Sequence, residues 1–370
     1  METSRSHYLC LLFFCFISIS TSTQNSCVHQ NTVLKKNHIA LFIFGDSLFD
    51  VGNNNYLHNP IFLTNFTPYG TTYFHYPSGR FSDGRLIPDF IAEKLKLPLI
   101  PPYLHPGHHD FTDGANFASA GAGALVETHQ GYEGRVVDLK TQVVQMKNTK
   151  KEIRKQIGDA ETTKLLSKAI YLISIEGNDY LAPSAVFKSF SEKDYVAIVM
   201  GNLTSVVKDI YKIGGRRFGF IGMGAFDCSP NLRAFEQNKG GCDEVASVII
   251  KLHNEALAKL LKELQSQLEE FQYSYFDFYT TLTERIKNPL KYGFKDSKMA
   301  CCGAGVYRGM LSSCGLVKGY EVCEDVSEYV FFDYVHPTEK LYNQLSDIIW
   351  SGTDNDTIPY NLKTLVMTHE

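Results

Sequence analysis

The sequence predicts an α/β fold in which a parallel sheet carries helices on both faces. Short apolar runs of strand length alternate along the chain with longer segments of helical spacing, and this alternation is typical of strands joined by helical crossovers. Hydrophobic residue types make up 44% of the 370 residues, which is enough for a full core. From residue 27 onwards no linker rich in Pro, Gly or Ser and no repeat of fixed period divides the chain. We therefore expect a single domain over residues 27–370.

Four buried strands are predicted from continuous apolar runs, which suit parallel strands because both faces of such a sheet are covered. The first run, IALFIF, stops at Gly45, and the predicted strands are 39–44, 169–175, 218–221 and 273–276. Apolar residues at i, i+3, i+4 and i+7 predict helices in the segments between and after them. These helices are 86–95, 195–213, 245–264 and a segment after Pro337 that extends through Ile349.

The charge pattern argues against nucleic acid as a partner. The formal net charge is −4, and nucleic-acid binding would need a clustered basic face. The densest basic run, KNTKKEIRK at 147–155, is short and contains Glu152. We interpret it as the solvated face of a helix.

The first residues are typical of an export signal. Arg5 and His7 precede an apolar run at 8–19, and small polar residues follow at 20–26. The run is shorter than the roughly 20 apolar residues that span a bilayer, which favours a cleaved signal peptide over an uncleaved anchor. We expect residues 1–26 to be removed and the protein to be secreted, with no stable membrane anchor.

The cysteines agree with export. Cys10 and Cys15 fall within the predicted signal, and four of the remaining seven are clustered at 301–323. A zinc site is the alternative, but two CxxC pairs are lacking and an oxidising compartment favours disulfides. We expect a Cys228–Cys242 bridge, two bridges within 301–323 whose connectivity is open, and an unpaired Cys27. Three N-x-S/T sequons, at Asn65, Asn202 and Asn355, would be available for glycosylation after secretion.

Ser47 is the first candidate for chemistry, because it follows the first predicted strand in the sequence Gly45-Asp46-Ser47-Leu48. Ligands of open α/β sheets bind beyond the carboxyl ends of the strands, so a serine there is placed for nucleophilic attack. Gly45 lets the chain turn where a side chain would clash. A serine in such a turn can equally be an ordinary helix N-cap.

Asp333 and His336 form the second candidate, in the sequence DYVHP. An imidazole can remove the proton of a serine hydroxyl near neutral pH, and a carboxylate can hold the ring in one tautomer. The spacing of three allows one loop to supply both groups, with Pro337 starting the following helix. A capped helix start is the alternative interpretation.

Two further segments could stabilise an oxyanion. The run of small residues at 114–123 (GANFASAGAG) lets backbone N–H groups approach developing charge; it lacks the GxxxxGK[ST] and GxGxxG patterns of phosphate loops. Asn178, in the sequence GND, can donate from its side-chain amide. A plain turn would use the same residues.

Together, in this order, the four segments resemble the conserved blocks of the GDSL, or SGNH, hydrolases. The flanking sequences are similar to the plant branch of that family, and the resemblance extends from about residue 39 to residue 352. The segments that carry it are GDSLFDVGNNNY, PYG, GRFSDGRLIPDFIA, GANFASAGAG, GNDY, FFDYVHPTEK and, in the cysteine cluster, MACCGAGVYRG.

The resemblance implies a three-layer α/β/α sandwich with a mainly parallel sheet, of the SGNH, flavodoxin-like type. It implies that Ser47 is the nucleophile and that Asp333 and His336 complete a catalytic triad. It also implies that the N–H groups of Ser47 and Gly121 and the side chain of Asn178 form the oxyanion hole, without metal or cofactor. The absence of a GxSxG elbow argues against the α/β-hydrolase fold.

Two positions depart from the family pattern. Ala120 stands where many relatives have glycine, which is a mild change. Glu176 replaces the first glycine of the Gly-x-Asn-Asp block and places a potential charge two residues from Asn178. A carboxylate that faced the site would oppose a negative transition state, and we expect Glu176 to point away from it.

The resulting hypothesis is a secreted esterase/lipase that acts on a small-molecule or lipid ester through an acyl-enzyme. An acyltransferase with the same triad is the alternative, because both reactions share the acyl-enzyme. A catalytically silent secreted binding protein is the rival from another class. Acyl and alcohol specificity and oligomeric state cannot be obtained from the sequence.

Overall fold

The computed structural model describes residues 38–129, 135–175, 177–181 and 189–367. These residues belong to one compact unit, Val33–Glu370. The predicted signal segment 1–26, Cys27 and Glu176 lie outside the described residues, so the expectations for them stay predictions.

The strands are short and, in the main sheet, mostly parallel. In chain order they are β1 Leu41–Gly45, β2 Gly114–Asn116, β3 Ile170–Ser174, β4 Arg217–Ile221, β5 Gln272–Phe276, β6 Asp296–Ala300, β7 Cys302–Gly303, β8 Glu321–Val322, β9 Tyr329–Phe331 and β10 Thr357–Ile358. Six of them form the sheet β10-β5-β4-β3-β1-β2, in which only β10 pairs antiparallel with its neighbour. Smaller two-stranded pairings join β6 with β9 and β7 with β8.

The four predicted strands are confirmed as β1, β3, β4 and β5. The strands β2 and β10 were not predicted, because β2 consists of small residues (GAN) and β10 is two residues long. Both lie at edges of the sheet, where a strand needs no continuous apolar run.

The helices surround the sheet. In chain order they are α1 Ile87–Lys94, α2 Leu139–Lys168, α3 Asn178–Leu181, α4 Glu192–Ile213, α5 Pro230–Arg233, α6 Glu244–Gln267, α7 Phe278–Lys287, α8 Glu339–Ser351 and α9 Leu362–Met367. The four predicted helices are confirmed as α1, α4, α6 and α8. The basic run at 147–155 lies in α2, where Lys147, Lys151 and Arg154 are exposed as expected. The helical conformation of α2 is interrupted at Gly158, whose φ is 79°.

Successive residues of the strands face opposite layers. Phe42 and Phe44 of β1 belong to a core shared with α2, α4 and α6, whereas Leu41 and Ile43 belong to a second core shared with α1, α8 and α9. Helices therefore cover both faces of the sheet, and the three-layer α/β/α sandwich with a mainly parallel sheet is confirmed. Among the described residues, no helix is both long enough and apolar enough to pass through a membrane.

Three disulfides are present, and they confirm the predicted pairing. Cys228 is bonded to Cys242, and the cluster contains the bridges Cys301–Cys323 and Cys302–Cys314. The cluster is attached to the chain that precedes Asp333, because the N–H of Cys302 donates to the carbonyl of Phe332 at 2.7 Å.

Candidate active site

Ser47 lies beyond the carboxyl end of β1, in a turn that requires glycine at its start. A Cβ atom on Gly45 would come within 2.3 Å of the carbonyl oxygen of Ser174 on the neighbouring strand. The N–H and the carbonyl of Gly45 are both bound by the side-chain amide of Gln142 from α2, at 2.9 and 2.8 Å. The backbone is thus fixed from both sides, and Ser47 is left half-buried at the edge of the sheet.

Ser47, His336 and Asp333 form a continuous hydrogen-bonded chain. The Oγ atom of Ser47 lies 2.8 Å from Nε2 of His336. The Nδ1 atom of the same ring lies 2.8 Å from Oδ2 and 2.9 Å from Oδ1 of Asp333. Asp333 is fully buried and His336 is 3% exposed, so the ring is enclosed apart from its serine-facing side. This is the arrangement in which an imidazole can accept a serine proton while a carboxylate stabilises the imidazolium that forms.

Asp333 is held as a carboxylate. Burial disfavours its charged form, but His336 and the backbone N–H groups of Val335 and His336 outweigh burial and keep the pKa of Asp333 below its ordinary value. The two N–H groups donate to Oδ1 at 3.0 and 2.8 Å. Tyr69 donates its hydroxyl proton to Oδ2 at 2.8 Å, and burial followed by the charge of Asp333 raises the pKa of that tyrosine.

The loop that carries this pair folds back on itself. The N–H of Phe332 donates to the carbonyl of His336 at 2.8 Å, and the ring of Phe81 packs 4.9 Å from the imidazole. The predicted helix start at Pro337 was wrong by two residues. Thr338 is the N-cap, with its side chain accepting from the N–H of Leu341, and α8 begins at Glu339. Pro337 instead pairs with Phe331, which closes the loop.

Two of the three candidate oxyanion donors are backbone N–H groups. Within the part of the chain that the structure describes, the N–H groups of Ser47 and Gly121 have no hydrogen-bond acceptor. The neighbouring N–H of Ala120 is already used, since it donates to Oδ2 of Asp50 at 2.9 Å. Gly121 has a φ of 87°, and a Cβ atom there would come within 2.6 Å of the ring of Phe62. A side chain at this position is therefore excluded both by conformation and by space.

The third candidate donor, Asn178, begins α3 and is half-buried. Its Nδ2 atom lies 3.0 Å from the carbonyl oxygen of Ala122 and 3.3 Å from Oδ2 of Asp46. These contacts connect Asn178 to both the serine turn and the glycine-rich loop. The adjacent Asp179 accepts from the N–H groups of Ala124 and Leu125, at 2.9 and 3.1 Å, and so fixes the far end of that loop.

The glycine-rich loop is also held by residues of the segment that follows Ser47. The buried Asp50 accepts from the N–H groups of Gly52 and Asn53, in addition to that of Ala120. Burial raises the pKa of Asp50 to about 6, although these N–H groups oppose the shift. Asn54 donates to the carbonyl of Ala120 at 3.1 Å. The serine turn and the candidate oxyanion loop are thus one hydrogen-bonded unit.

The sequence pointed to Ser47, Asp333 and His336, which the structure places together. It did not point to the residues that hold these side chains in position. Tyr69 lies in the PYG segment, and Asp50 and Asn54 lie in GDSLFDVGNNNY, so the resemblance contained a signal for these residues without giving them a role. The role of Gln142 could not be predicted, because it lies within the helix α2 and belongs to none of the segments that carry the resemblance.

Among the described residues, one group of side chains has the types and spacing of metal ligands, but its chemistry does not suit a metal centre. Asp227, Cys228 and Cys242 lie close together, but the two sulfur atoms are bonded to each other. Metal coordination by cysteine requires the thiolate, so this cluster offers only a single carboxylate.

Comparisons with known proteins give matches over most of the chain. The profile described as GDSL-like lipase/acylhydrolase matches residues 41–349. The chain is 47% identical to "GDSL esterase/lipase 2" of Arabidopsis thaliana, and this match covers 99% of each of the two chains. It is 45% identical to "GDSL esterase/lipase 1" of the same plant, over 97% of this chain and 98% of the relative. It is also 47% identical to "GDSL lipase" of Tanacetum cinerariifolium, over 88% of this chain and 87% of the relative.

Proposed function

Because the chain belongs to the GDSL-like lipase/acylhydrolase family and is a carboxylic ester hydrolase, we propose that it acts outside the cell through an acyl-enzyme formed on Ser47. The observation that carries this proposal is the 2.8 Å contact between Oγ of Ser47 and Nε2 of His336, with Asp333 bound to the other ring nitrogen. Hydrolysis by this route needs no group beyond those of the chain and water.

The proposed reaction has two steps. In the first, Ser47 Oγ attacks the ester carbonyl while His336 Nε2 takes the serine proton, and the collapse of the tetrahedral intermediate expels the alcohol, which receives that proton from His336. In the second, His336 takes a proton from water as the water attacks the acyl-enzyme, and returns it to Ser47 as the acid leaves. Asp333 remains a carboxylate throughout and stabilises the imidazolium.

The oxyanion of each tetrahedral intermediate is assigned to the N–H groups of Ser47 and Gly121 and to the amide of Asn178, whose Nδ2 would exchange its 3.3 Å contact with Asp46 for the oxyanion. Donors fixed in advance stabilise developing charge without reorganising during the reaction. The backbone N–H groups support this assignment because they lack acceptors within the described protein. The loop of Gly121 is fixed on both sides, since Asn54 donates to the carbonyl of Ala120 and the carboxylates of Asp50 and Asp179 accept from the N–H groups of Ala120 and Ala124.

Action outside the cell is supported by the disulfides and by the position of the sequons. The three bridges need an oxidising compartment to form and persist. Asn65, Asn202 and Asn355 are all exposed, as glycan attachment requires.

Ser47→Ala tests the proposal directly. The variant should lose covalent labelling by a fluorophosphonate and at least about 10³-fold in kcat, because loss of a triad member removes the nucleophilic route. Ser351→Ala, at an exposed position of α8, is the matched control and should label and turn over like the parent. Retention of labelling in a folded Ser47→Ala protein would overturn the assignment.

A further inference from the structure

Two adjacent residues, Ser82 and Asp83, bind the chain beside both Tyr69 and His336. Their exposed fractions are 0% and 2%, so their polar atoms need partners within the protein. Tyr69 and His336 both bond to the carboxylate of Asp333, although they come from segments that are far apart in the chain. The pair Ser82–Asp83 is therefore placed to fix one of these segments against the other.

On the side of Tyr69, most of the bonds come from the backbone of the pair. The N–H of Gly70 donates to the carbonyl of Ser82 at 3.0 Å, and the N–H of Thr72 donates to the carbonyl of Asp83 at 2.8 Å. The hydroxyl of Thr72 adds a 2.6 Å bond to Oδ2 of Asp83. Three bonds thus hold the residues that follow Tyr69.

On the side of His336, the bonds come from the side chains of the pair. Ser82 donates its hydroxyl proton to the carbonyl of Pro337 at 3.0 Å. The N–H of Glu339 donates to Oδ1 of Asp83 at 2.8 Å. The chain that leaves the imidazole is therefore fixed at its first and third residues.

The neighbours of the pair contact the same loop. Arg85 donates from Nε and Nη2 to Oε1 of Glu339, at 3.0 and 2.6 Å. A Cβ atom on Gly84 would overlap the carboxylate of Glu339, so the two segments approach as closely as glycine allows. On the other side of the pair, the ring of Phe81 packs 4.9 Å from the imidazole of His336. The whole segment 81–85 thus lies against the loop that carries the base.

The carboxylate of Asp83 joins the two sides through separate oxygens. Oδ2 accepts from Thr72, and Oδ1 accepts from Glu339. Burial raises the pKa of Asp83, although these bonds and the one from Ser82 oppose the shift. A carboxylate offers acceptors at both oxygens and can take both donors at once. A side chain without these oxygens would break both connections.

We propose that Ser82 and Asp83 are positioning residues of this ester hydrolase, which hold Tyr69 and His336 together around the carboxylate of Asp333. The proposal rests on the proposed function, because the position of these groups affects turnover only if they serve Ser47. Since the pair acts on the groups of the chemical step, its loss should lower kcat and leave KM nearly unchanged.

Substitution of Asp83 tests the proposal by steady-state kinetics on one p-nitrophenyl ester. Asp83→Ala should lower kcat at least about tenfold, because a displacement of about 1 Å caused by a mutation away from the chemistry can cost roughly 100-fold. Asp83→Asn keeps an oxygen for the N–H of Glu339 and an amide group for the Thr72 hydroxyl, so its kcat should stay within about threefold of the parent's. Equal losses in the two variants would overturn the proposal, since they would assign the effect to the charge of Asp83.

Ser82→Ala is the milder variant and keeps the proposal testable if Asp83→Ala does not fold. It removes the bond to Pro337 and should lower kcat about threefold or more, with KM nearly unchanged. Ser346→Ala is the matched control, because it removes the hydroxyl of another buried serine, which donates within α8 to the carbonyl of Tyr342 at 2.7 Å. The control should keep the parent's kcat.

A double-mutant cycle with Tyr69→Phe separates positioning from a general loss of stability. If Asp83 acts by holding Tyr69 against Asp333, removal of the tyrosine hydroxyl leaves less for Asp83→Ala to disturb. The kcat of the double variant should therefore be at least about threefold higher than the product of the two single losses predicts. The same cycle with Ser82→Ala should deviate in the same direction.

Single losses that multiply in both cycles would overturn the proposal, as would an unchanged kcat in folded Asp83→Ala and Ser82→Ala proteins or a change confined to KM. Failure of the proposed function is distinguishable from these results, because it would appear in the parent as turnover that survives Ser47→Ala.

Discussion

The hydroxyl group of Tyr69 donates a 2.8 Å hydrogen bond to Oδ2 of Asp333, which lies 264 residues further along the chain. The same oxygen faces Nδ1 of His336, so Tyr69 and the imidazole share one carboxylate oxygen. Tyr69 is 3% exposed, and its ring packs edge-on against Phe332. It is a positioning residue, since it acts on the reaction through Asp333.

Tyr69→Phe should lower kcat/KM about tenfold, because a hydrogen bond to a charged group contributes roughly 1.5–3 kcal/mol. Loss of the donor raises the pKa of Asp333, so the acid limb of the pH profile, in which this carboxylate becomes protonated, should move to higher pH. Tyr76→Phe removes a hydroxyl from a tyrosine that is 61% exposed and should leave the profile in place. A lower rate with an unmoved acid limb would show that Tyr69 acts only in packing.

Asn178→Ala should lower kcat about 10²–10³-fold with little change in KM, since an oxyanion donor acts mainly on the transition state. Steady-state kinetics on a single ester measure both parameters. Asn288→Ala, at an exposed residue after α7, is the control. A change confined to KM would assign Asn178 to substrate binding instead.

Asp50→Asn should remove a pH dependence of stability. The folded protein holds the Asp50 proton up to about pH 6, whereas the unfolded chain releases it near the ordinary value of 3.8. Between these values the folded state binds more protons, so this group makes the free energy of unfolding fall as pH rises, by about 3 kcal/mol in total.

Denaturant unfolding of the parent and Asp50→Asn from pH 4 to pH 7 measures this effect. The parent's stability relative to the variant should decrease across the interval. A difference that stays constant with pH would contradict the raised pKa. The exposed Asp354→Asn variant shows how much a surface carboxylate contributes to the same curve.

Removal of the Cys302–Cys314 bridge should lower both stability and kcat, whereas removal of Cys228–Cys242 should lower stability alone. The bridges close segments of similar length, with separations of 12 and 14 residues, so replacing either pair by serine should cost about 3 kcal/mol of unfolding free energy. Only the first bridge is attached to the chain next to Asp333, through the hydrogen bond from the N–H of Cys302 to the carbonyl of Phe332. Equal values of kcat in the two double variants would argue against a role for the disulfide loop in positioning Asp333.

Expression in a eukaryotic secretory host tests export. The protein recovered from the medium should begin between residues 20 and 28 and should lose mass when N-glycans are removed enzymatically. Asn65→Gln, Asn202→Gln and Asn355→Gln should each be examined, because each side chain is exposed. Retention of the protein inside the cells would refute export, an intact residue 1 would refute cleavage of the signal, and a mass that the glycosidase leaves unchanged in the parent would refute glycosylation.

The parts of the fold that followed from the sequence are those in which burial alone decides the pattern. The strands β1 and β3 are buried on both faces, and a continuous apolar run in the sequence predicts such a strand. The strands β2 and β10 escape such reasoning, because an edge strand of two or three residues has no periodicity to detect. For the helix α2, the sequence predicted only the basic segment at 147–155. The rest was missed because most of the helix is polar, and its buried apolar residues Val143, Met146 and Ile153 are too few to give a clear periodicity.

Within the site, local spacing could anticipate the Asp333–His336 pair but not the contacts that cross the chain. A separation of three residues allows one loop to join a carboxylate and an imidazole. The hydrogen bonds between Tyr69 and Asp333 and between Gly45 and Gln142 join distant segments, and nothing in the immediate sequence of these residues specifies the partner. Those bonds depend on how the layers stack, which is determined by the whole core.

The contact between Ser47 and His336 joins residues 289 positions apart, near the two ends of the described fold. A chain still emerging from the ribosome carries the serine early and the histidine only when synthesis is almost finished. Under the proposed mechanism, a polypeptide truncated before His336 would keep Ser47 but would lack the imidazole that takes its proton.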